Sequence, residues 1–205
     1  MVRFRYPVTA GPGRAELREK SSRFLAWVEP VANEEQAGLR LAEIVKDHPG
    51  ASHHCWARRL GEPARERSAD AGEPSGTAGF PMLQVLRGAE VSDTLAVVAR
   101  WFGGTKLGKG GLARAYAAAV REALAQCTLA ERFLYETLEL TMPYALFGAV
   151  QRLVHPPEVV LGSVSYGEVV RCILRVIPPR RADLDECLAT LGVEGQSREP
   201  PGSGD

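Results

Sequence analysis

The run Arg100-Trp101-Phe102-Gly103-Gly104-Thr105-Lys106-Leu107-Gly108-Lys109-Gly110-Gly111 contains the residue types that hold phosphate. Glycines let backbone N–H groups come close to a ligand, and a helix starting at the end of such a run turns its positive end toward it. From Thr94 through Arg121 there is no acidic residue, whereas Arg100, Lys106, Lys109, Arg114 and Arg121 are basic. The expected anion or nucleic-acid contacts are Arg100, Gly103, Gly104, Lys106, Gly108, Lys109, Gly110, Gly111 and Arg114. Gly103 to Gly110 nearly spells the G-x-x-x-x-G-K-[ST] loop of nucleotide triphosphatases, but Gly110 stands where the Mg²⁺-ligating hydroxyl belongs. No apolar strand ends in an acidic residue that would serve as the second metal anchor, which argues against an ATPase or GTPase. The same glycines also suit tight turning and close packing, with the cations merely solvated, and the sequence leaves both readings open.

A second polar group lies upstream, in Asp70-Ala71-Gly72-Glu73-Pro74-Ser75-Gly76-Thr77-Ala78-Gly79. Its carboxylates and hydroxyls, Asp70, Glu73, Ser75 and Thr77, could organise an acid/base site together with His53. The spacing is Gly-x-x-Ser-Gly and not the nucleophile elbow Gly-x-Ser-x-Gly, and Asp, Ser and Thr equally serve as turn formers and caps. Neither a catalytic assignment nor a metal site is made. Adjacent strand residues point to opposite faces, so His53 and His54 cannot aim at one ion. The four cysteines, Cys55, Cys127, Cys172 and Cys187, form no C-x-x-C pair and read as reduced thiols. No cofactor is expected.

Positive and negative residues balance at 25 each, so any attraction to a polyanion must come from a local patch. Of the 205 residues 45% are hydrophobic, enough for a sizeable core in one large domain or two small ones. There is no secretory pattern at the amino terminus and no apolar stretch approaching the ~20 residues that span a bilayer. The protein is therefore expected in the cytoplasm and off membranes.

These motifs need elements to hold them. Phe24 to Val28 reads as a strand, followed by a helix capped by Asn33 and stopped at Pro49-Gly50. His53 to Arg58, Met82 to Leu86 and Leu95 to Arg100 read as further strands, the last so apolar that it is expected to be central in its sheet. Gly61 to Pro81 reads as a long loop. The glycine-rich run precedes an alanine-rich helix reaching about Gln126, with Leu112, Tyr116, Val120, Ala123 and Leu124 on its buried side. From Arg132 the order is strand, helix, two strands flanking Gly167, and a helix from Ala182 to Leu191, which is β-α-β-β-α with its last strand weak or missing. Domains are expected at 1–130 and 131–195, with a disordered tail at 196–205. Trp27, Trp56, Trp101 and Phe102 read as core, although an exposed aromatic beside an arginine would suit stacking on single-stranded bases.

Taken together, Lys20-Ser21-Ser22-Arg23-Phe24, His53-His54-Cys55, Gly72 to Gly79 with Pro81, and Val97 to Tyr116 resemble the IMPACT/YigZ family. The resemblance implies an α+β protein with an N-terminal domain like ribosomal protein S5 domain 2, followed by a small ferredoxin-like domain similar to those of elongation factor G. It also implies a translation-associated, non-enzymatic regulator that binds RNA, the ribosome or translation factors, because eukaryotic relatives dampen the stress kinase of translation initiation. The alternative is an enzyme acting on a phosphorylated small molecule. Those eukaryotic relatives carry an extra N-terminal domain, whereas the motif here starts at about Lys20, as in the two-domain bacterial members. Family members usually have two aspartates before Gly-Glu-Pro, and here Ala71 takes the second place. The oligomeric state is left open by the sequence.

Overall fold

The structure is a computed structural model that describes residues 4–198. It comprises two compact units, one of Tyr6–Arg132 and one of residues 133–198 with residues 4 and 5. Both are built on antiparallel sheets with helices packed against them, so the fold is mixed and of the α+β kind.

In the first unit, strands β1 (Arg5–Thr9) and β7 (Leu129–Phe133) form a two-stranded ribbon. The main sheet has five strands: β2 (Gly13–Glu19), β3 (Ser22–Pro30), β4 (His53–Leu60), β5 (Arg65–Ala69) and β6 (Thr94–Trp101). They are ordered β2-β3-β6-β4-β5, with the nearly all-apolar β6 in the middle. Helix α1 (Glu34–Asp47) begins where the sequence indicates: Asn33 Oδ1 accepts the Gln36 N–H (2.8 Å) and Gln36 Oε1 accepts the Ala32 N–H (2.6 Å). It packs Ala37 and Ile44 against Leu25, Trp27, Leu95 and Val97 on one face of the sheet. Helices α2 (Gly79–Gly88) and α3 (Gly108–Leu124) cover the other face, meeting Phe24, Ala26, Cys55, Ala96 and Val98.

Two expectations fail in the middle of this unit. Met82 to Leu86 is helix α2 and not a strand, since Met82, Leu83 and Leu86 recur at helical spacing and are buried together. Its start carries no local capping side chain. Instead the Asp70 carboxylate, folded back from the preceding loop, accepts the N–H groups of Ala78 (2.9 Å) and Gly79 (2.8 Å) on Oδ1 and of Gly76 (2.8 Å) on Oδ2. The expected long loop also contains strand β5, which pairs antiparallel with β4 from Trp56↔Ala69 to Leu60↔Arg65.

The second unit runs β8 (Glu136–Met142), α4 (Tyr144–Gln151), β9 (Val159–Tyr166), β10 (Val170–Val176), α5 (Arg181–Thr190) and β11 (Gly195–Arg198). The sheet order is β11-β8-β10-β9. Leu138, Leu140, Cys172 and Leu174 pack under Phe147 and Val150 of α4 and Leu184 and Leu188 of α5. The last strand is present, which corrects the expectation of a tail from residue 196: β11 pairs with β8 from Gly195↔Leu140 to Arg198↔Thr137. It carries no apolar side chain, so it joins through backbone hydrogen bonds with nothing in its composition to announce it. Residues 199–205 of the expected tail lie outside the described residues. Among the described residues no helix is long and apolar enough to cross a membrane.

Candidate functional site: a basic cleft floored by a buried ion pair

Three strands place one row of side chains side by side at the end of the main sheet. Phe24 of β3 lies opposite Arg100 of β6, and Arg100 lies opposite His53 of β4. Residues opposed in this way share a face, here the face covered by α2 and α3. Arg100 is only 5% exposed, with its guanidinium between the rings of Phe24 (5.4 Å) and Phe102 (5.5 Å). A buried cation needs a counterion, and Glu73, 8% exposed, supplies it: Arg100 Nη1 donates to Glu73 Oε1 at 2.6 Å. The same oxygen accepts the Tyr116 hydroxyl of α3 (2.8 Å). Burial pushes that phenol above its ordinary value, with the neighbouring Cys55 and Glu73 adding to the shift.

The β2–β3 turn completes this floor. Lys20 and Ser21 both adopt positive φ, 45° and 67°, which delivers Ser22 Oγ to Arg100 Nη2 and to the Gly103 N–H, each at 3.3 Å. Gly103 has to be glycine, because a Cβ there would stand 2.0 Å from the Ser21 carbonyl oxygen. The Phe102 N–H is taken by Ser52 Oγ (3.2 Å).

Above the floor opens a cleft of about 370 Å³ lined by Glu73, Pro74, Arg100, Phe102, residues 106–109 and Leu112. Lys106 and Lys109 are exposed and have no ion-pair partner among the described residues. Gly108, Gly110 and Gly111 fall in the first turn of α3, which has neither an acidic residue nor a capping side chain. The leading N–H groups of a helix have no intrahelical acceptor, so an anion meeting this end finds donors as well as the positive end of the dipole. Arg100 and Glu73 neutralise each other, which leaves the lysines and the helix end as the net charge of the cleft. Arg100 Nε has no hydrogen-bond partner among the described residues.

The remaining residues singled out above are spread more widely. Gly104 lies in the turn before the cleft, and Arg114 is on another side of α3, in a groove shared with Pro81, Val85 and Ala117 of α2 and α3. Asp70 is engaged as the α2 cap; partial burial would raise its carboxyl, but the three backbone donors outweigh burial and hold it below its ordinary value. Thr77 donates to the Pro74 carbonyl (2.6 Å), and Ser75 is exposed. His53 Nδ1 stands 3.0 Å from the Ala71 carbonyl oxygen, which can only accept, so Nδ1 carries the proton. Its Nε2 is 4.0 Å from Glu73 Oε1. Ala71 sits at φ 46°, a left-handed conformation that aspartate and asparagine enter more readily than alanine, so a backbone reason exists for the aspartate usual at this place. Cys55 donates its thiol to the Asp70 carbonyl (2.9 Å), and burial pushes its pKa up to about 12. Ser22 and Tyr116 acquire their polar roles only through cross-strand and helix–sheet contacts, for which the sequence offers no spacing signal.

A model of the Impact N-terminal domain matches residues 20–124, the segment that holds every residue of the cleft. The chain belongs to the IMPACT family. The IMPACT family member YvyE of Bacillus subtilis is 38% identical over 159 residues, covering 77% of this chain and 73% of that protein. An IMPACT family member of Haemophilus influenzae is 36% identical over 160 residues, covering 77% and 78%. The crystal structure of a hypothetical protein superposes with a TM-score of 0.70 at 27% identity, covering 97% of this chain and 99% of its own. The match to the family model lies wholly within the unit that contains the buried Arg100–Glu73 pair.

Proposed function

We propose that this chain is a translation-associated binding module that takes RNA phosphates in the cleft beside α3, acting as a regulator and not as an enzyme. The observation that carries this reading is the pair Lys106 and Lys109, which have no ion-pair partner among the described residues, set beside an uncapped helix start in a cleft whose other charges cancel. Membership of the IMPACT family points the same way, because the eukaryotic relatives act on translation initiation. The element order of the second unit, with its four strands in spatial order fourth, first, third and second, supports a ferredoxin-like domain. The first unit is read as the S5 domain 2-like domain, and the protein as cytoplasmic.

Binding to an unstructured RNA is expected at low salt and to weaken as salt rises, since each neutralised phosphate releases counterions. In the Lys106→Ala/Lys109→Ala double variant the slope of log K against log salt should fall in magnitude by about 1.4, at roughly 0.7 per lost phosphate contact on a single strand. Both lysines are exposed, so the variant keeps its fold. RNA binding that is undetectable at low salt, or equal in the double variant, removes this reading.

His53 favours a second reading, an enzyme acting on a phosphorylated small molecule. Its Nδ1 lies 3.0 Å from the Ala71 carbonyl, and its Nε2 is turned toward Glu73 at 4.0 Å, which sets an imidazole beside a carboxylate as proton-transfer chemistry requires. On this reading a screen of phosphorylated metabolites returns a turned-over compound, and His53→Ala lowers that turnover by roughly 100-fold or more while the ligand-induced thermal shift persists. A screen with neither shift nor turnover eliminates it.

A further inference from the structure

The ring of Phe102 distinguishes this cleft from a simple phosphate cradle. A large aromatic side chain at the end of a central strand ordinarily turns into the core, yet Phe102 is 48% exposed and lines the cavity. The buried Arg100 guanidinium stands over the ring at 5.5 Å, and is itself held by Glu73 and Ser22. The ring is therefore supported by a fixed cation and open to solvent elsewhere. That arrangement suits stacking of a nucleobase, which every base supplies through its π face. The two lysines and the start of α3 line the same cavity, whose volume of about 370 Å³ falls at the lower end of the range for small-ligand pockets.

We propose that the cleft is a nucleotide site: the base stacks on Phe102 while the attached phosphate lies on Lys106, Lys109 and the first turn of α3. This deepens the phosphate reading above and rests on it. The shared chemistry is one aromatic base carrying one phosphate, supplied either by a free mononucleotide or by a terminal residue of RNA. Glu73 poses no obstacle to the phosphate, because Arg100 offsets its charge inside the wall. No bond is made or broken in this assignment.

The test is calorimetric titration at low salt with adenosine 5′-monophosphate, ribose 5-phosphate, adenosine, and an octanucleotide with and without a 5′-phosphate. Adenosine 5′-monophosphate should bind more tightly than ribose 5-phosphate by about tenfold or more, the contribution of one stacked base. Phe102→Ala should bring the two ligands to equal affinity, whereas Phe102→Trp retains the difference; the exposed position makes both variants compatible with folding. Lys106→Ala/Lys109→Ala should weaken both phosphorylated ligands and leave adenosine unchanged. A 5′-phosphorylated octanucleotide that outcompetes the mononucleotide assigns the site to an RNA end, and the reverse order assigns it to a free nucleotide. Equal affinity of the wild type for adenosine 5′-monophosphate and ribose 5-phosphate overturns the nucleotide site but leaves the phosphate reading standing. If neither ligand binds, both fall.

Discussion

Replacing Glu73 with alanine is expected to cost about 3–5 kcal/mol of folding stability, the loss typical of breaking a buried ion pair from one side. Arg100 would keep its charge at 5% exposure between two aromatic rings, with the Ser22 hydroxyl as its remaining bonded partner. The Tyr116 hydroxyl would lose its acceptor in the same step, and Oε1 is the atom that serves both. Urea denaturation measures this as a drop in midpoint at unchanged slope. Glu73→Gln should cost less, because an amide oxygen still accepts both hydrogen bonds. The double variant Glu73→Ala/Arg100→Met should recover much of the loss, since an apolar chain replaces the stranded cation. A single-variant loss below about 1 kcal/mol would mean that water reaches Arg100, at odds with its burial.

The second large effect belongs to Asp93, at the start of β6. It is 4% exposed and satisfies groups from separate parts of the first unit: Oδ2 accepts from the Tyr6 hydroxyl (2.9 Å) and Arg132 Nη1 (2.5 Å), Oδ1 accepts the Gly61 N–H (2.8 Å), and its carbonyl accepts the Val31 N–H (2.9 Å). Asp93→Ala strands the buried hydroxyl and amide and should cost about 3 kcal/mol by equilibrium denaturation. Asp93→Asn should cost less than Asp93→Ala, because the amide oxygen still accepts on one side, although its NH2 replaces the other acceptor, and asparagine tolerates the observed φ of 49°. Burial, reinforced by the Asp93 hydrogen bond and charge, raises the Tyr6 hydroxyl to about 12. A group whose pKa is raised on folding contributes fully below its unfolded value, near 10 for tyrosine, and that contribution fades as pH climbs toward 12. The wild type should therefore lose more stability than Asp93→Ala between pH 9 and pH 11. Equal losses would show that Asp93 does not act on Tyr6.

How far the sequence reaches depends on whether an element's signal is local. Helix α1 is legible because Asn33 and Gln36 cap it from three residues apart, and β6 because an apolar run needs both faces covered. Helix α2 is illegible as a helix because its capping carboxylate, Asp70, comes from eight residues upstream of Ala78, and five mostly apolar residues fit strand or helix alike. Strands β5 and β11 carry almost no apolar side chains and exist by pairing with β4 and β8.

The cleft divides in the same way. Residue type and spacing determined that a glycine-rich, acid-free segment would end one strand and open one helix, and so that Lys106, Lys109 and a helix start would lie close together. Only the tertiary structure decided which cations remain free, because Coulomb attraction and burial act through space. Arg100 belongs to the same basic run as the lysines, but the register of β3, β6 and β4 and the loop bearing Glu73 turn it into half of a buried pair. Phe102, which the sequence reading places in the core, is instead half-exposed and lines the cleft, with the Arg100 guanidinium 5.5 Å from its ring centroid.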